Sequence, residues 1–124
     1  MQNESQLRRI GASLIAATGA IHLVLAPEYL GEQAYIGIGF IIGGIAALLI
    51  GARLWRTSDQ AAWTLGALLS AGMAVSFVLS RTIGLPGFHE SEWELSGILS
   101  VLLEAGFVGC AAAALKPPRE AMAA

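Results

Sequence analysis

The chain has 124 residues, 56% of them hydrophobic and 13% charged, with a net charge of −2 and a mean hydropathy of +0.68. A soluble domain carries about 25% charged residues, so a soluble globular enzyme or binding module is excluded. The acidic balance and apolar composition also exclude nucleic-acid binding.

The apolar residues form four blocks long enough to cross a bilayer: residues 10–26, 34–52, 61–80 and Leu95–Leu115. The fold class expected is all-α, a transmembrane four-helix bundle running up-down-up-down. Residues 1–9 read as a cytoplasmic N-terminal segment whose first six or so residues are disordered, residues 10–115 as one membrane domain, and residues 116–124 as a disordered cytoplasmic tail. The first block follows Arg8 and Arg9 as a signal peptide would. It is longer than a usual signal-peptide core, and its removal would leave three spans with poor charge bias, so it is expected to be retained.

Along the chain, Ala26 and Pro27 are expected to close span one, and the short connection to Ala34 allows only an antiparallel neighbour. Span two carries Gly39, Gly43, Ala47 and Gly51 at every fourth position, and span one carries Ala12, Ala16 and Ala20. Such small residues permit close backbone approach. They point either to packing inside the bundle or to a homo-oligomer or partner-subunit interface. Gly84, Leu85, Pro86 and Gly87 end span three, and Ser91 with Glu94 resembles a capping box opening helix four. Trp55, Trp63, Trp93, Tyr29 and Tyr35 fall at the expected membrane–water boundaries.

Polar residues within the spans are the candidates for function. Glu104 lies near the middle of Leu95–Leu115, which otherwise contains no charge; a carboxylate at that depth costs about 2.5–3.5 kcal/mol unless it finds a partner or water. Ser96, Ser100 and Glu104 share one helix face, as do Thr18 and His22. At 1.5 Å per residue, His22 lies about 20 Å from Arg9 and Glu104 about 17 Å from Leu115, so their depths match. With the long side chain of Arg81, the expected intramembrane polar cluster is His22, Arg81, Glu104 and Ser100, with His22 or Arg81 nearest to Glu104. That carboxylate reads either as a structural ion pair or as a proton or cation site.

Catalytic signatures are missing: there is no G-x-S-x-G, Ser-His-Asp set or CxxC, and Gly37 and Gly39 lack the strand–turn–helix context of a dinucleotide site. Cys110, the only cysteine, cannot form an internal disulfide. His22, His89 and Glu90 are the candidates for a metal site, and bis-histidine haem ligation would require His89 to fold towards His22; a solvated acidic loop is the default. No cofactor and no enzymatic activity are expected.

The pairing of His22 with Pro27 and Glu28, Phe40 in a Gly-rich second span, the run from Ser80 and Arg81 through Gly87, and Glu104 in the last span resemble the small uncharacterised four-span integral membrane proteins common in high-GC bacteria. The resemblance implies the four-span fold and no activity. The size is also similar to that of the small multidrug resistance transporters, but their membrane glutamate lies in the first span rather than the fourth. Two functional expectations follow. The leading one is a non-enzymatic subunit or scaffold of a membrane complex. The other is a small oligomeric transporter or proton-coupled carrier using Glu104, which a path reaching that residue would favour. The expected partners are the lipid bilayer and a homo-oligomer or larger membrane protein, at the inner (plasma) membrane.

Six of the seven basic residues, all but Arg81, fall on the side holding the termini and the 53–60 connection, which orients both termini to the cytoplasm. Reporter fusions after Arg56 and after Lys116 are expected to read cytoplasmic, and one within residues 86–90 external. A cytoplasmic signal from residues 86–90 overturns this orientation.

Overall fold

The computed structural model describes residues 2–116. They form four helices: α1 (Gln2–Glu32), α2 (Ala34–Arg56), α3 (Gln60–Arg81) and α4 (Leu95–Leu115). All four are long and apolar enough to cross a membrane, and the chain is a multi-pass membrane protein on that ground. Side chains such as Val24, Leu49, Leu68 and Leu102 stand exposed on the outside of the bundle, where lipid replaces water. The tail from residue 117 onward lies outside the described residues.

Two boundaries differ from expectation. Residues 2–6, within the segment expected to be disordered, form the opening of α1. Pro27 does not close that helix, which continues to Glu32. A proline inside a helix removes one backbone bond; here the turn beyond it buries Tyr29 against Phe40, whose ring centroid is 4.5 Å away. Packing downstream outweighs the lost bond. The actual break is Gln33, whose extended backbone (φ −155°) reverses the chain in a single residue.

The remaining connections are fastened by named groups. Arg8 donates to the carbonyl of Leu54 (2.9 Å) and to that of Trp55, capping the end of α2 with a cation where the helix dipole is negative. Asp59 caps α3 by accepting from the Ala61 N–H at 3.1 Å. The Arg53 guanidinium, bonded to it at 2.8 Å, holds the Asp59 carboxyl below the usual carboxylate range. Between α3 and α4, Leu85 and Phe88 exchange two backbone bonds across Pro86 and Gly87. Proline at the second position and Gly87 at φ +66° are what a type II turn requires. The capping box does not form: Glu94 occupies the N-cap position of α4 but makes no cap bond with its side chain.

α1 packs most closely on α2, α4 contacts both α1 and α3, and the α2–α3 seam is the loosest. The first of these contacts rests on glycine. A Cβ at Gly19 would lie 2.9 Å from the Gly44 carbonyl, and one at Gly51 would lie 3.1 Å from the Ala12 carbonyl. Lipid supplies no hydrophobic drive between helices, so such backbone approach and its dispersion energy hold the pair. The row in contact is Gly37, Gly44 and Gly51 with Ala47, not the expected fourth-residue stripe. At 100° per residue, a step of four drifts by about 40°, so Gly39 and Gly51 point about 120° apart, whereas a step of seven drifts by only about 20°. Gly43 instead faces Met73 of α3, and Gly39 meets nothing within 4 Å.

The bundle is solid at one end and hollow at the other. Ile15, Leu54, Trp63 and Phe107 fill the end near the α2–α3 connection. The rings of Trp63 and Phe107 are 5.4 Å apart, and Gly66 leaves room for Phe107. Trp63, in the first turn of α3, turns into this core, at 2% exposure.

Gly44→Leu is expected to force α1 from α2 and lower stability by about 1–3 kcal/mol or more, whereas Gly39→Leu should melt with the parent in detergent. Equal losses at the two positions would contradict this packing.

Candidate functional site

At the end bearing the 82–94 connection the four helices enclose a cavity of about 430 Å³. α1 contributes His22 and Tyr29, α2 Gly39, Phe40 and Gly43, α3 Gly72, Phe77 and Arg81, and α4 Ser96, Ser100 and Glu104. Leu85 and Phe88 of the connection close its top. The volume falls in the range of small-molecule sites, about 300–1,000 Å³.

Glu104 is only 1% exposed. Its Oε2 accepts from Thr18 Oγ1 at 2.6 Å and from Ser100 Oγ at 2.7 Å, while the two hydroxyl oxygens lie 2.7 Å from each other. Three short oxygen–oxygen edges share two hydroxyl protons. A neutral carboxyl supplies the third; an ionised one leaves one edge without a hydrogen. Oε1 has no hydrogen-bond partner among the described residues. A buried polar atom left unsatisfied costs about 1–3 kcal/mol, more when charged. The other buried oxygen in that condition, Ser70 Oγ, belongs to a residue outside the cavity lining.

His22 stands beside this triangle. Its Nδ1 lies 2.8 Å from the Thr18 carbonyl. A carbonyl oxygen only accepts, so Nδ1 carries a proton and Nε2 is the nitrogen free to gain or lose one. Nε2 lies 3.9 Å from Glu104 Oε2, within ion-pair range but beyond a hydrogen bond. The imidazole packs on Phe40 at 4.7 Å, which together with Tyr29 and Phe88 forms an aromatic wall up to the closing loop.

Of the cluster expected from the sequence, His22, Ser100 and Glu104 meet and Arg81 does not join them. The partners closest to Glu104 are the hydroxyls of Thr18 and Ser100, not His22 or Arg81. Thr18 was visible only as a neighbour of His22 on one helix face; a hydroxyl carries no charge to mark it as a carboxylate's partner. Arg81, 7% exposed, is engaged elsewhere. It donates to Glu94 Oε1 at 2.7 Å, Tyr29 Oη at 3.0 Å, Ser80 Oγ at 2.8 Å and the Glu92 carbonyl at 3.0 Å, and its guanidinium lies 4.3 Å over the Phe77 ring. It sits at the last turn of α3, a turn or more from Glu104's level, and the start of α4 supplies the nearer carboxylate. Arg81 therefore ties the connecting loop to α1 and α3 above the cavity.

The metal candidates are apart in role. His89 Nε2 is bonded to the Thr82 carbonyl at 2.8 Å, and Glu90 accepts from the Glu92 N–H. Neither lines the cavity that holds His22. Among the described residues no group of three or more His, Cys, Asp or Glu is placed to hold a metal ion.

Arg81→Gln is expected to lower stability on the order of 3 kcal/mol, because it strands Glu94 and Tyr29, and to speed hydrogen exchange across residues 82–94. Exchange in that loop unchanged from the parent would show that Arg81 does not restrain it.

Comparison of the chain with protein-family models, with curated proteins and with solved structures returns no match. The chemistry of the site therefore rests on its own residues.

Proposed function

We propose that the protein is a small carrier of the inner (plasma) membrane that receives a small molecule at Glu104. Its helices run up-down-up-down with both termini in the cytoplasm, following the distribution of basic residues, so the cavity opens in the outer half. The carrying observation is the cavity of about 430 Å³ that reaches a buried carboxylate with one oxygen unpartnered. A purely structural glutamate would have both oxygens met by protein donors, since that is how a buried charge is stabilised. Apolar walls with a few convergent polar groups are the general form of a ligand site.

The triangle of Thr18, Ser100 and Glu104 adds a reason for proton coupling. Losing the proton of a neutral Glu104 opens one edge and calls for a new donor, and His22 Nε2 is the adjacent group able to pass that proton. The proton and the ligand are then alternatives at one carboxylate, and release of one accompanies binding of the other. We read the carrier as non-enzymatic, because the Thr18 and Ser100 hydroxyls are directed at the carboxylate and not at the imidazole.

A subunit or scaffold role has less support from the geometry. Gly43, Ala47 and Gly51, the residues that would dock a partner helix, are buried within this chain, leaving Gly39 alone facing open space.

The protein extracted in mild detergent is expected to carry a small molecule that denaturation releases for mass spectrometry. The double variant Gly39→Leu/Gly72→Leu, which fills the cavity from two positions where nothing lies within 4 Å of an added Cβ, should carry none of it. Identical released molecules from parent and filled variant would overturn the reading.

A further inference from the structure

On one side the cavity is lined by residues that are themselves exposed. Gly39 of α2 and Leu68, Gly72 and Ser76 of α3 all line it and all are exposed, although each lies well inside a membrane-spanning helix. An added Cβ at Gly39 or Gly72 would meet nothing within 4 Å, and the α2–α3 seam is the loosest between neighbouring helices. An opening at that level faces lipid, so whatever enters is dissolved in the bilayer.

The floor is short of donors. With Glu104 ionised, Thr18 and Ser100 both give their hydroxyl protons to Oε2, and the buried Oε1 receives none. His22 has committed its Nδ1 proton to the Thr18 carbonyl, so the neutral ring turns a bare Nε2 lone pair to the same floor. If protonated, Nε2 still stands 3.9 Å from Oε2 and leaves Oε1 unmet. Two acceptors without donors call for a ligand group that has hydrogens to give and no lone pair to offer. A neutral hydrocarbon leaves both unsatisfied, and an anion meets the carboxylate with like charge.

Electrostatics and walls select the same class. Arg81 is the only lysine or arginine lining the cavity, and Glu94 already neutralises it. Glu28, Glu32, Glu90, Glu92 and Glu94 surround that end of the bundle. The rings of Phe40, Tyr29 and Phe88 line the walls, and aromatic faces attract cations. We infer that the ligand is a lipophilic amine, which enters from the bilayer between α2 and α3 and binds as its ammonium with N–H groups on Glu104 Oε1 and His22 Nε2.

This inference rests on the small-molecule site proposed above and adds the ligand's charge class and route. Three fluorescent probes of one ring shape test it on the full-length protein in detergent at neutral pH: 9-aminoacridine, a cation there; anthracene, neutral; and anthracene-9-carboxylate, an anion. The expected result is saturable binding of 9-aminoacridine at least tenfold tighter than of the other two. Glu104→Gln should lose that preference at least tenfold, and Gly39→Leu/Gly72→Leu should abolish binding. If Glu104→Gln does not fold, the ranking of the three probes on the parent decides. Anthracene binding the parent as tightly as the cation, with both lost in the filled variant, overturns the amine while keeping the cavity as a site. Saturable binding of all three that the filled variant leaves unchanged overturns the site itself, and no saturable binding of 9-aminoacridine to the parent overturns the amine.

Discussion

The hollow half of this bundle depends on where Glu104 finds its donors. In lipid a carboxylate has no water to turn to, and the hydroxyls that meet it come from Thr18 on α1 and Ser100 one turn back on α4. That contact brings α1 and α4 together at one level and aims the imidazole of His22 at the same point. It also uses only one of the two carboxylate oxygens. A polar group half satisfied in a low-dielectric interior is costly, and that cost is what the proposed ligand would relieve.

The two ends of the molecule are packed differently. At one end Ile15, Leu54, Trp63 and Phe107 interlock, and the backbones of α1 and α2 touch through Gly19, Gly44 and Gly51. At the other, glycines that meet nothing border a cavity whose roof is a short loop. Small residues thus serve opposite ends: where helices press together they allow contact, and where helices part they leave a gap. Rigidity in the first half lets the second half stay open without collapsing.

Arg81 shows how a charge can be essential to a site without touching its chemistry. Its guanidinium satisfies groups from α1, α3 and the loop before α4 at once. It fixes the aromatic wall through Tyr29 and Phe77 and holds the roof in place. Its charge is cancelled by Glu94, so the cavity below keeps the sign of Glu104.

Four membrane-spanning helices were legible from the sequence because apolar length alone specifies them, and α4 begins and ends where composition places it. The depth match of His22 and Glu104 was legible for the same reason, since rise per residue is constant along a helix. Rotation about each axis was not legible. It decided that Gly44 rather than Gly39 meets α1, that the Thr18 hydroxyl turns onto Glu104, and that Trp63 turns inward. The extent of α1 beyond Pro27 was likewise set by Tyr29 packing across the bundle rather than by local propensity. Length and hydropathy are sums along a chain, so a sequence carries them outright. Which faces meet, and whether a cavity is left between them, depends on four helices at once, and only their packing together decides it.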